Sequence, residues 1–267
     1  MDGSPPKSQR DGGLEGDLRG LVYRGSTWLV AGTISQRFVR LLSNLILVRV
    51  LFAEDFGLVA LVFAWVQGLI LCSDLGVVRS IIQHPRGDTR EFLGTAFTLQ
   101  ILRALCLWVA SFLIAIPMSA FYEMPALRLM LPVASISVLI NSLSSPRMVL
   151  LVRNLRVRTT EGISIASSLA GLLFTVTLAI LWRDAWALIV GGLCRDAFKC
   201  VLSYFVSPPR GIRPSWDKEA FTAILHFGRW IVLSSFLTFL ALQADRLIAG
   251  KFVPTSVLGQ LSVALLY

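Results

Sequence analysis

Apolar runs of about twenty residues, separated by short polar turns, recur along most of this chain. They occupy residues 25–48, 57–81, 92–117, 127–151, 162–182, 185–206 and 222–243, and a further run begins near Val257. A helix that crosses a bilayer needs about 20 apolar residues, because the hydrocarbon core is about 30 Å thick and a helix rises 1.5 Å per residue. The pattern therefore predicts an all-α, polytopic membrane helix bundle.

The spacing of these runs predicts four regions. Residues 1–24 are polar and contain several Gly and Pro residues, which favours a disordered tail. Residues 25–206 form a six-span N-terminal bundle, residues 207–220 a linker, and residues 221–267 the incomplete start of a second bundle. The segment "NLILVRVLFAEDFGLVALVFA" (44–64) is then two spans joined by a short turn at Glu54 and Asp55.

Composition agrees with a membrane protein. Hydrophobic residues make up 55% of the chain, charged residues 15%, and the mean hydropathy is +0.71, whereas soluble domains carry about 25% charged residues. The net charge of +9 would suggest a nucleic-acid partner in a soluble protein, but the cytoplasmic loops of membrane proteins also collect Lys and Arg. We therefore expect no nucleic-acid partner.

The distribution of Lys and Arg also predicts the orientation. If the N-terminus is cytoplasmic, the loops on the opposite side contain only Arg49, Arg183, Arg246 and Lys251. The cytoplasmic segments then contain Lys7, Arg10, Arg19, Arg24, Arg86, Arg90, Arg153, Arg156, Arg158, Arg210, Arg213 and Lys218. This positive-inside bias predicts a cytoplasmic N-terminus, with the linker 207–220 on the same side.

A polar stripe runs along the first span. It consists of Thr33, Arg37, Arg40 and Asn44, which are spaced i, i+4, i+7 and i+11 on one side of a helix. A charge near mid-membrane costs at least ~2.5 kcal/mol, so we expect the stripe to face a water-filled cavity or a partner. A structural ion pair is the alternative, and Asp74 in the second span, at a comparable predicted depth, is the candidate partner.

Other predicted spans also carry polar residues. These are Gln67, Gln100, Arg103, Asn141, Ser144, Ser145, Arg147, Arg195, Asp196 and Lys199. Pro146 should loosen the fourth span. Asp196 and Lys199 are three residues apart, so they either neutralise one another or serve a site. The small residues of the fifth span, Ser164 to Gly171, favour close helix packing.

Enzyme motifs are largely missing from the sequence. His84 and His226 have no metal-ligand spacing around them, and the four cysteines form no CxxC motif, so we expect neither a cofactor nor a metal. Only Glu123 and Glu161 are loosely placed to act as an acid at the membrane interface. The sequence therefore favours a non-enzymatic function.

A short repeat links the two ends of the chain. With a shift of 202 residues, Leu45-Ile46 aligns with Leu247-Ile248, Arg49 with Lys251, and Gly57 with Gly259. Six spans separate the copies, so both turns lie on the same side of the membrane. This spacing is typical of a transporter built from two parallel six-helix repeats.

The stretches "RLLSNLILVRVLFAEDFGLVALVFA", "SDLGVVRSIIQ" and "ADRLIAGKFVPTSVLGQLSVA" together resemble a known family. They are similar to the polysaccharide-biosynthesis flippases, the Wzx-like branch of the multidrug/oligosaccharidyl-lipid/polysaccharide exporter superfamily, over roughly residues 24–267. The resemblance implies two six-helix bundles around a cavity, in the bacterial inner membrane. It also implies that a polyprenyl-pyrophosphate-linked oligosaccharide is moved to the outer leaflet.

This resemblance and the polar stripe together suggest a set of substrate-binding residues. Arginine can bind phosphate oxygens through two parallel hydrogen bonds, so the candidates are Arg37, Arg40, Asn44, Asp74, Arg103 and Arg147. The expected partners are the lipid-linked oligosaccharide, membrane lipids and other membrane proteins of polysaccharide assembly. The sequence ends within the eighth apolar run, so we expect this chain alone to be inactive in flipping.

Three alternatives remain open from the sequence. One is a non-transporting remnant or assembly partner. Another is a drug or cation exporter of the same superfamily, which would favour acidic cavity residues. The third is a membrane enzyme of the same pathway, which would need a large outer loop or an interfacial His/Asp set.

Overall fold

A computed structural model describes residues 7–209, 211–253, 257 and 260, with side chains from Thr27 onward apart from several near the end of the last helix. The described residues are almost entirely helical. The helices are α1 (Lys7–Val50), α2 (Ala53–Cys72), α3 (Val77–Gln83), α4 (Arg90–Phe121), α5 (Leu127–Ser142), α6 (Met148–Arg153), α7 (Val157–Trp182), α8 (Trp186–Val206) and α9 (Lys218–Phe252). The predicted all-α class is confirmed.

Four helices within the described residues are long and apolar enough to cross a membrane. They are α2, α4, α7 and residues 218–242 of α9, while α5 is a shorter apolar helix. α8 carries three charged residues between positions 195 and 199, which dilute its apolar character. The finer arrangement of six spans followed by part of a second bundle stays a prediction.

Two predicted spans are interrupted, each for a local reason. The stretch 57–81 forms α2 and α3, separated at Gly76, which adopts a φ of +61° that glycine tolerates best. The stretch 127–151 forms α5 and α6, separated by the segment that contains Pro146, which has no N–H to continue a helix. The loosening predicted at Pro146 is therefore observed as a break.

α1 begins at Lys7, within the segment 1–24 for which the sequence predicts a disordered tail. The polar composition hides a helical pattern, because Leu14, Leu18 and Leu21 are spaced i, i+4 and i+7. Residues 1–6 lie outside the described part of the chain. The structure thus differs from the predicted tail from Lys7 onward.

The helix ends agree with the internal repeat. α1 ends at Val50 and α9 ends at Phe252, a separation of 202 residues, and the last turns contain Arg49 and Lys251 respectively. Gly259, the proposed counterpart of Gly57, lies outside the described residues. The two copies therefore share the same position at the end of a long helix.

Three apolar clusters hold the helices together. The first joins α2, α5 and α8 around Leu61 and Leu127, and the second joins α3, α4 and α9 around Ile81 and Ile224. The third joins the last turns of α1 and α7 to the start of α8, through Leu47, Leu51, Ala179 and Ala187. α7 packs along both α1 and α8.

α9 is bonded to the preceding helices near both of its ends. At its start, Arg86 contacts Glu219 at 2.7 Å, and the Asp217 N–H donates to Thr95 Oγ1 at 2.9 Å. The hydrogen bond that Arg86 donates to the Glu219 carboxylate raises the pKa of the Arg86 guanidinium above its ordinary value. At its far end, Lys251 Nζ donates to the Phe121 carbonyl at 2.6 Å, and Tyr122 Oη donates to the Leu247 carbonyl at 3.0 Å.

The connections between helices gather at two ends of the bundle. Arg153 donates to the carbonyls of Ile81 and His84 at 2.6 and 2.8 Å, which brings the α6–α7 connection to the α3–α4 connection. The bond between Arg86 and Glu219 brings the α8–α9 connection to the same end. The segments predicted to be cytoplasmic therefore lie together at one end, and which side of the membrane this end faces stays a prediction.

Candidate binding cleft

A cleft of about 350 Å³ opens between α1, α2, α7 and α8. Its apolar walls include Phe56 and Phe63 of α2 and Leu172 of α7. Its polar side chains come from α1, α7 and α8, and they are Gln36, Arg40, Ser43, Asn44, Ser168, Thr175 and Arg195. The cleft therefore concentrates two arginines and five uncharged polar side chains in a surrounding that is otherwise apolar.

The two arginines lie at similar depths along the bundle. Arg40 precedes the end of α1 at Val50 by ten residues, and Arg195 follows the start of α8 at Trp186 by nine. These helix ends lie at the same end of the bundle, where the third apolar cluster joins them. At 1.5 Å per residue the arginines are each about 14–15 Å from that end, a distance equal to about half the thickness of a ~30 Å hydrocarbon core.

The side of α1 that faces the cleft overlaps the predicted stripe only in part. Arg40 and Asn44 line it, as the sequence predicts for a cavity, whereas Thr33 and Arg37 do not. Thr33 Oγ1 bonds to the Leu29 carbonyl at 2.8 Å, and Arg37 is exposed on the neighbouring side of the helix. The cleft-facing side also carries Gln36 and Ser43, which are not part of the predicted stripe.

The side-chain amide of Asn44 lacks a partner. Its Nδ2 atom is buried, and no hydrogen-bond acceptor within the described residues reaches it. Buried polar atoms in folded proteins are nearly always hydrogen-bonded. The amide is therefore available to water or to a bound molecule in the cleft.

Arg195 is a cleft residue that the sequence analysis treated only as part of a charged group. Its Nε and Nη2 atoms each donate to Asp196 Oδ1 at 3.1 Å, and Asn141 Nδ2 donates to Asp196 Oδ2 at 3.1 Å. Asp196 is thus paired with Arg195, and the suggested neutralisation by Lys199 is not what the structure shows. No spacing in the sequence identifies Arg195, because its side-chain partner is the adjacent Asp196, which is bonded in turn from α5.

Glycines allow the cleft helices to approach closely. A Cβ at Gly171 would lie 2.8 Å from Cβ and Cγ of Arg195, and a Cβ at Gly191 would lie 2.7 Å from Cα of Thr175. The predicted small-residue packing of the fifth span is confirmed at Gly171. On the other side of α7, Glu161 accepts a hydrogen bond from Gln36 Nε2 at 2.9 Å, and its side chain leaves no room for a Cβ at Gly32.

Asp74 and Arg103, two predicted substrate-binding residues, contact each other away from the cleft. Arg103 Nη1 lies 3.9 Å from Asp74 Oδ1, its Nη2 donates to the Ile70 carbonyl at 2.7 Å, and its Nε donates to Ser73 Oγ at 3.0 Å. Arg103 therefore caps the last turn of α2, where the helix leaves carbonyls without intrahelical partners.

The suggested pairing of Asp74 with Arg37 is wrong. Asp74 follows the start of α2 at Ala53 by 21 residues, about 31 Å, whereas Arg37 precedes the end of α1 by 13 residues, about 20 Å. The sequence placed Asp74 well inside a span because the predicted span 57–81 runs past the observed end of α2 at Cys72.

Arg147, the last predicted residue, also lies away from the cleft. Its Nη1 donates to the Pro208 carbonyl at 3.4 Å, at the end of the bundle that holds the connections after α3, α6 and α8. Of the six predicted residues, the structure brings Arg40 and Asn44 together in one cleft. Arg37, Asp74, Arg103 and Arg147 lie elsewhere, and substrate binding by any of the six stays a prediction.

The described residues contain no group of three His, Cys, Asp or Glu side chains that could hold a metal ion. Within the same residues the four cysteines are free, and Cys72 and Cys106 are exposed.

Comparison with known proteins finds similarity to bacterial polysaccharide biosynthesis proteins. It is 24% identical over 250 residues to the lipopolysaccharide biosynthesis protein WzxC of Escherichia coli K12, covering 92% of this chain and 50% of that protein. It is 25% identical over 252 residues to the succinoglycan biosynthesis transport protein ExoT of Rhizobium meliloti, covering 91% and 49%. The amylovoran biosynthesis protein AmsL of Erwinia amylovora is 25% identical over 187 residues, covering 69% and 48%.

The chain spans about half the length of these curated relatives. No solved structure matches it. The sequence profile of one family, described as polysaccharide biosynthesis protein, matches residues 46–267, which include the cleft-lining parts of α2, α7 and α8 and the end of α1. The resemblance seen in the opening spans is thereby confirmed over most of the sequence, and the chain belongs to the polysaccharide biosynthesis protein family.

Proposed function

We propose that the full-length protein is a flippase, which moves a polyprenyl-pyrophosphate-linked oligosaccharide across the bacterial inner membrane, and that Arg40, Asn44 and Arg195 bind the anionic part of this substrate. The observation that carries the proposal is one cleft that holds two arginines, each nine or ten residues from the end shared by α1 and α8, together with an unpartnered amide. The N-terminus is cytoplasmic in this proposal.

The chemistry of the cleft fits an anion. Arg195 is partly neutralised by Asp196, whereas Arg40 has no acidic neighbour among the residues that line the cleft. The lining is therefore positively charged and rich in N–H donors. A pyrophosphate offers several oxygens that accept such bonds, and charge-assisted hydrogen bonds to arginine are about twice as strong as neutral ones.

The depth of the cleft explains why a membrane protein would place arginines there. A pyrophosphate cannot cross a hydrocarbon core unaided, because a bare charge in a medium of low dielectric constant is strongly destabilised. Arginines at mid-depth donate hydrogen bonds that replace part of the hydration that the phosphates lose when they leave water. Their own cost, at least ~2.5 kcal/mol each for a lipid-facing charge, falls when they line a hydrated cleft.

The proposal is tested by complementation with the full-length protein. A bacterial strain that lacks its own flippase would carry the wild-type gene, Arg40→Ala, or the double variant Arg40→Ala/Arg195→Gln. We expect wild type to restore surface polysaccharide and each variant to lose most of it, with lipid-linked oligosaccharide accumulating in the inner membrane. Immunoblots of membrane fractions establish that each variant is inserted in equal amounts.

Arg128→Ala is the matched control, because Arg128 is an exposed arginine near the start of α5 and does not line the cleft. It should export polysaccharide at the wild-type level. Arg37→Ala then asks whether the exposed side of α1 also contributes to binding. Normal export by the double cleft variant would refute the proposed role of the cleft.

A further inference from the structure

We propose that Asp196 is a positioning residue for substrate binding, which holds the guanidinium of Arg195 in one orientation toward the cleft, and that Asn141 holds Asp196 in turn. This inference rests on the proposed function, since it assigns a task to groups behind the anion-binding surface. Asp196 does not line the cleft and is 7% exposed. It would therefore act through Arg195 and not by touching the substrate.

The contacts of Arg195 leave one side of its guanidinium free. Nε and Nη2 both donate to the same oxygen, Oδ1 of Asp196, at 3.1 Å. A guanidinium has five N–H donors, so two of them are used and three remain. The Arg195 side chain is 47% exposed, which leaves those three donors accessible to phosphate oxygens in the cleft.

Asn141 fixes the far side of the carboxylate. It reaches across from α5, and its Nδ2 donates to Asp196 Oδ2 at 3.1 Å. Two successive hydrogen-bonded contacts thereby connect α5 to the guanidinium: Asn141 bonds to Asp196, and Asp196 bonds to Arg195. Because each carboxylate oxygen has a separate donor, the carboxylate cannot turn without breaking a hydrogen bond.

Gly171 restricts the aliphatic part of Arg195. The Cβ and Cγ atoms of Arg195 lie where they would be 2.8 Å from a Cβ on α7, so the side chain passes directly over the glycine. The aliphatic part of Arg195 is thus restricted by α7, and its guanidinium is held by Asp196. An arginine restrained at both points loses less conformational freedom when it binds a phosphate than a free arginine would.

Positioning and simple charge balance make different predictions for two substitutions at Asp196. Asp196→Asn keeps an oxygen at the position of Oδ1, and Asn141 can accept from the new N–H group if it turns its amide and gives up its bond to the Ser137 carbonyl. Asp196→Ala removes the acceptor altogether. Both substitutions remove the same negative charge, so an effect of charge alone would be the same for both.

The test is a binding measurement on the full-length protein in lipid nanodiscs. The probe is geranylgeranyl pyrophosphate, and uncharged geranylgeraniol is the control ligand. We expect Asp196→Ala to weaken binding of the pyrophosphate by about three- to tenfold, and Asp196→Asn to stay within about threefold of wild type or to bind more tightly. Asn141→Leu should weaken binding in the same direction as Asp196→Ala.

A double variant shows whether Asp196 acts through Arg195. Arg195→Ala should weaken binding by about ten- to a hundredfold, and Arg195→Ala/Asp196→Ala should be no weaker than Arg195→Ala. The double variant also covers the case in which Arg195→Ala fails to fold, because it removes the buried carboxylate that would be left unpaired.

A measurement without ligand separates failure of this inference from failure of the proposed function. In protein labelled with ¹⁵N-arginine, the Arg195 Nε–H signal should be ordered in wild type and in Asp196→Asn but averaged in Asp196→Ala. If wild type shows this order and binds the pyrophosphate no better than geranylgeraniol, the proposed function fails. Equal binding by Asp196→Ala and Asp196→Asn, or an unchanged Arg195 signal in Asp196→Ala, would overturn the positioning role.

Discussion

The close approach of α7 to the Arg195 side chain can be tested with two glycines of the same helix. Gly171 faces Arg195, and a Cβ there would lie 2.8 Å from Cβ and Cγ and 3.1 Å from Cδ of that residue. Gly162 lies in the second turn of α7 and has no heavy atom within 4 Å of its Cβ position. Gly171→Ala and Gly162→Ala therefore add the same methyl group, one in contact and one in open space.

The expected difference follows from two opposing effects. Replacing glycine by alanine in a helix gains up to about 1 kcal/mol, because alanine loses less backbone freedom on folding. At Gly171 the methyl group must also displace Arg195, and overpacking of this kind typically costs about 1–3 kcal/mol. Gly162→Ala should thus be neutral or stabilising, while Gly171→Ala should lower the free energy of unfolding by up to about 2 kcal/mol.

Unfolding by SDS titration, followed by tryptophan fluorescence in mixed micelles, measures this difference. The two variants should differ by about 1–3 kcal/mol in the free energy of unfolding. A Gly171→Ala protein as stable as Gly162→Ala would refute the argument, because it would mean that α7 does not approach Arg195 as closely as the structure indicates. Gly171→Ala should also weaken pyrophosphate binding, since the displaced Arg195 loses its bonds to Asp196.

Two other predictions concern the ends of the bundle. The orientation can be tested with single cysteines in a protein that lacks the four native ones. Cysteines introduced within 86–90, 153–158 and 210–218 should resist membrane-impermeant thiol reagents in intact cells. Labelling of all three from outside would overturn the predicted orientation. Arg103→Met should lower the free energy of unfolding by about 2–3 kcal/mol, because it removes the charged donor of the Ile70 carbonyl and the counter-ion of Asp74, which keep only the Ser73 hydroxyl and the Gly76 N–H as donors. Asp74→Asn should cost about 1 kcal/mol or less in the same SDS titration, because the 3.9 Å ion pair is long and the Gly76 N–H keeps an acceptor; equal losses for the two variants would contradict the capping role of Arg103.

The sequence predicted the helices well because their pattern is local. Apolar runs of about twenty residues located all the long helices, and the repeat placed the ends of α1 and α9 in the same register. The breaks were harder, because 57–81 was predicted as one continuous span and only a loosening was expected at Pro146. Their effect depends on what packs around them: Arg103 stabilises the broken end of α2 through contacts from another helix.

The cleft could be predicted only in part, because a cavity is defined by neighbouring helices. Helical spacing identified Arg40 and Asn44 as residues on one side of α1, but the direction of that side depends on how α1 lies against α7. The side that faces the cleft is rotated about the axis of α1, relative to the predicted stripe, by about the angle between successive residues. It therefore includes Gln36 and excludes Arg37. Arg195 depends on contacts from α5 and α7, and neither contact leaves a signal in sequence spacing.

The bonds near the two ends of α9 determine where the molecule can bend. α9 is the first helix of the predicted second bundle, yet Thr95 and Arg86 bind its beginning, and Phe121 and Tyr122 bind its last turns. A bending motion that left these four bonds intact would carry α9 along with α2 and α4 as one rigid unit. Relative movement of the two bundles would then have to bend the chain after Phe252, or else break the bonds at one end so that α9 swings about the other. In the predicted two-bundle arrangement, the linker 207–220 is therefore the covalent boundary between the bundles but not the mechanical one, as long as these bonds hold.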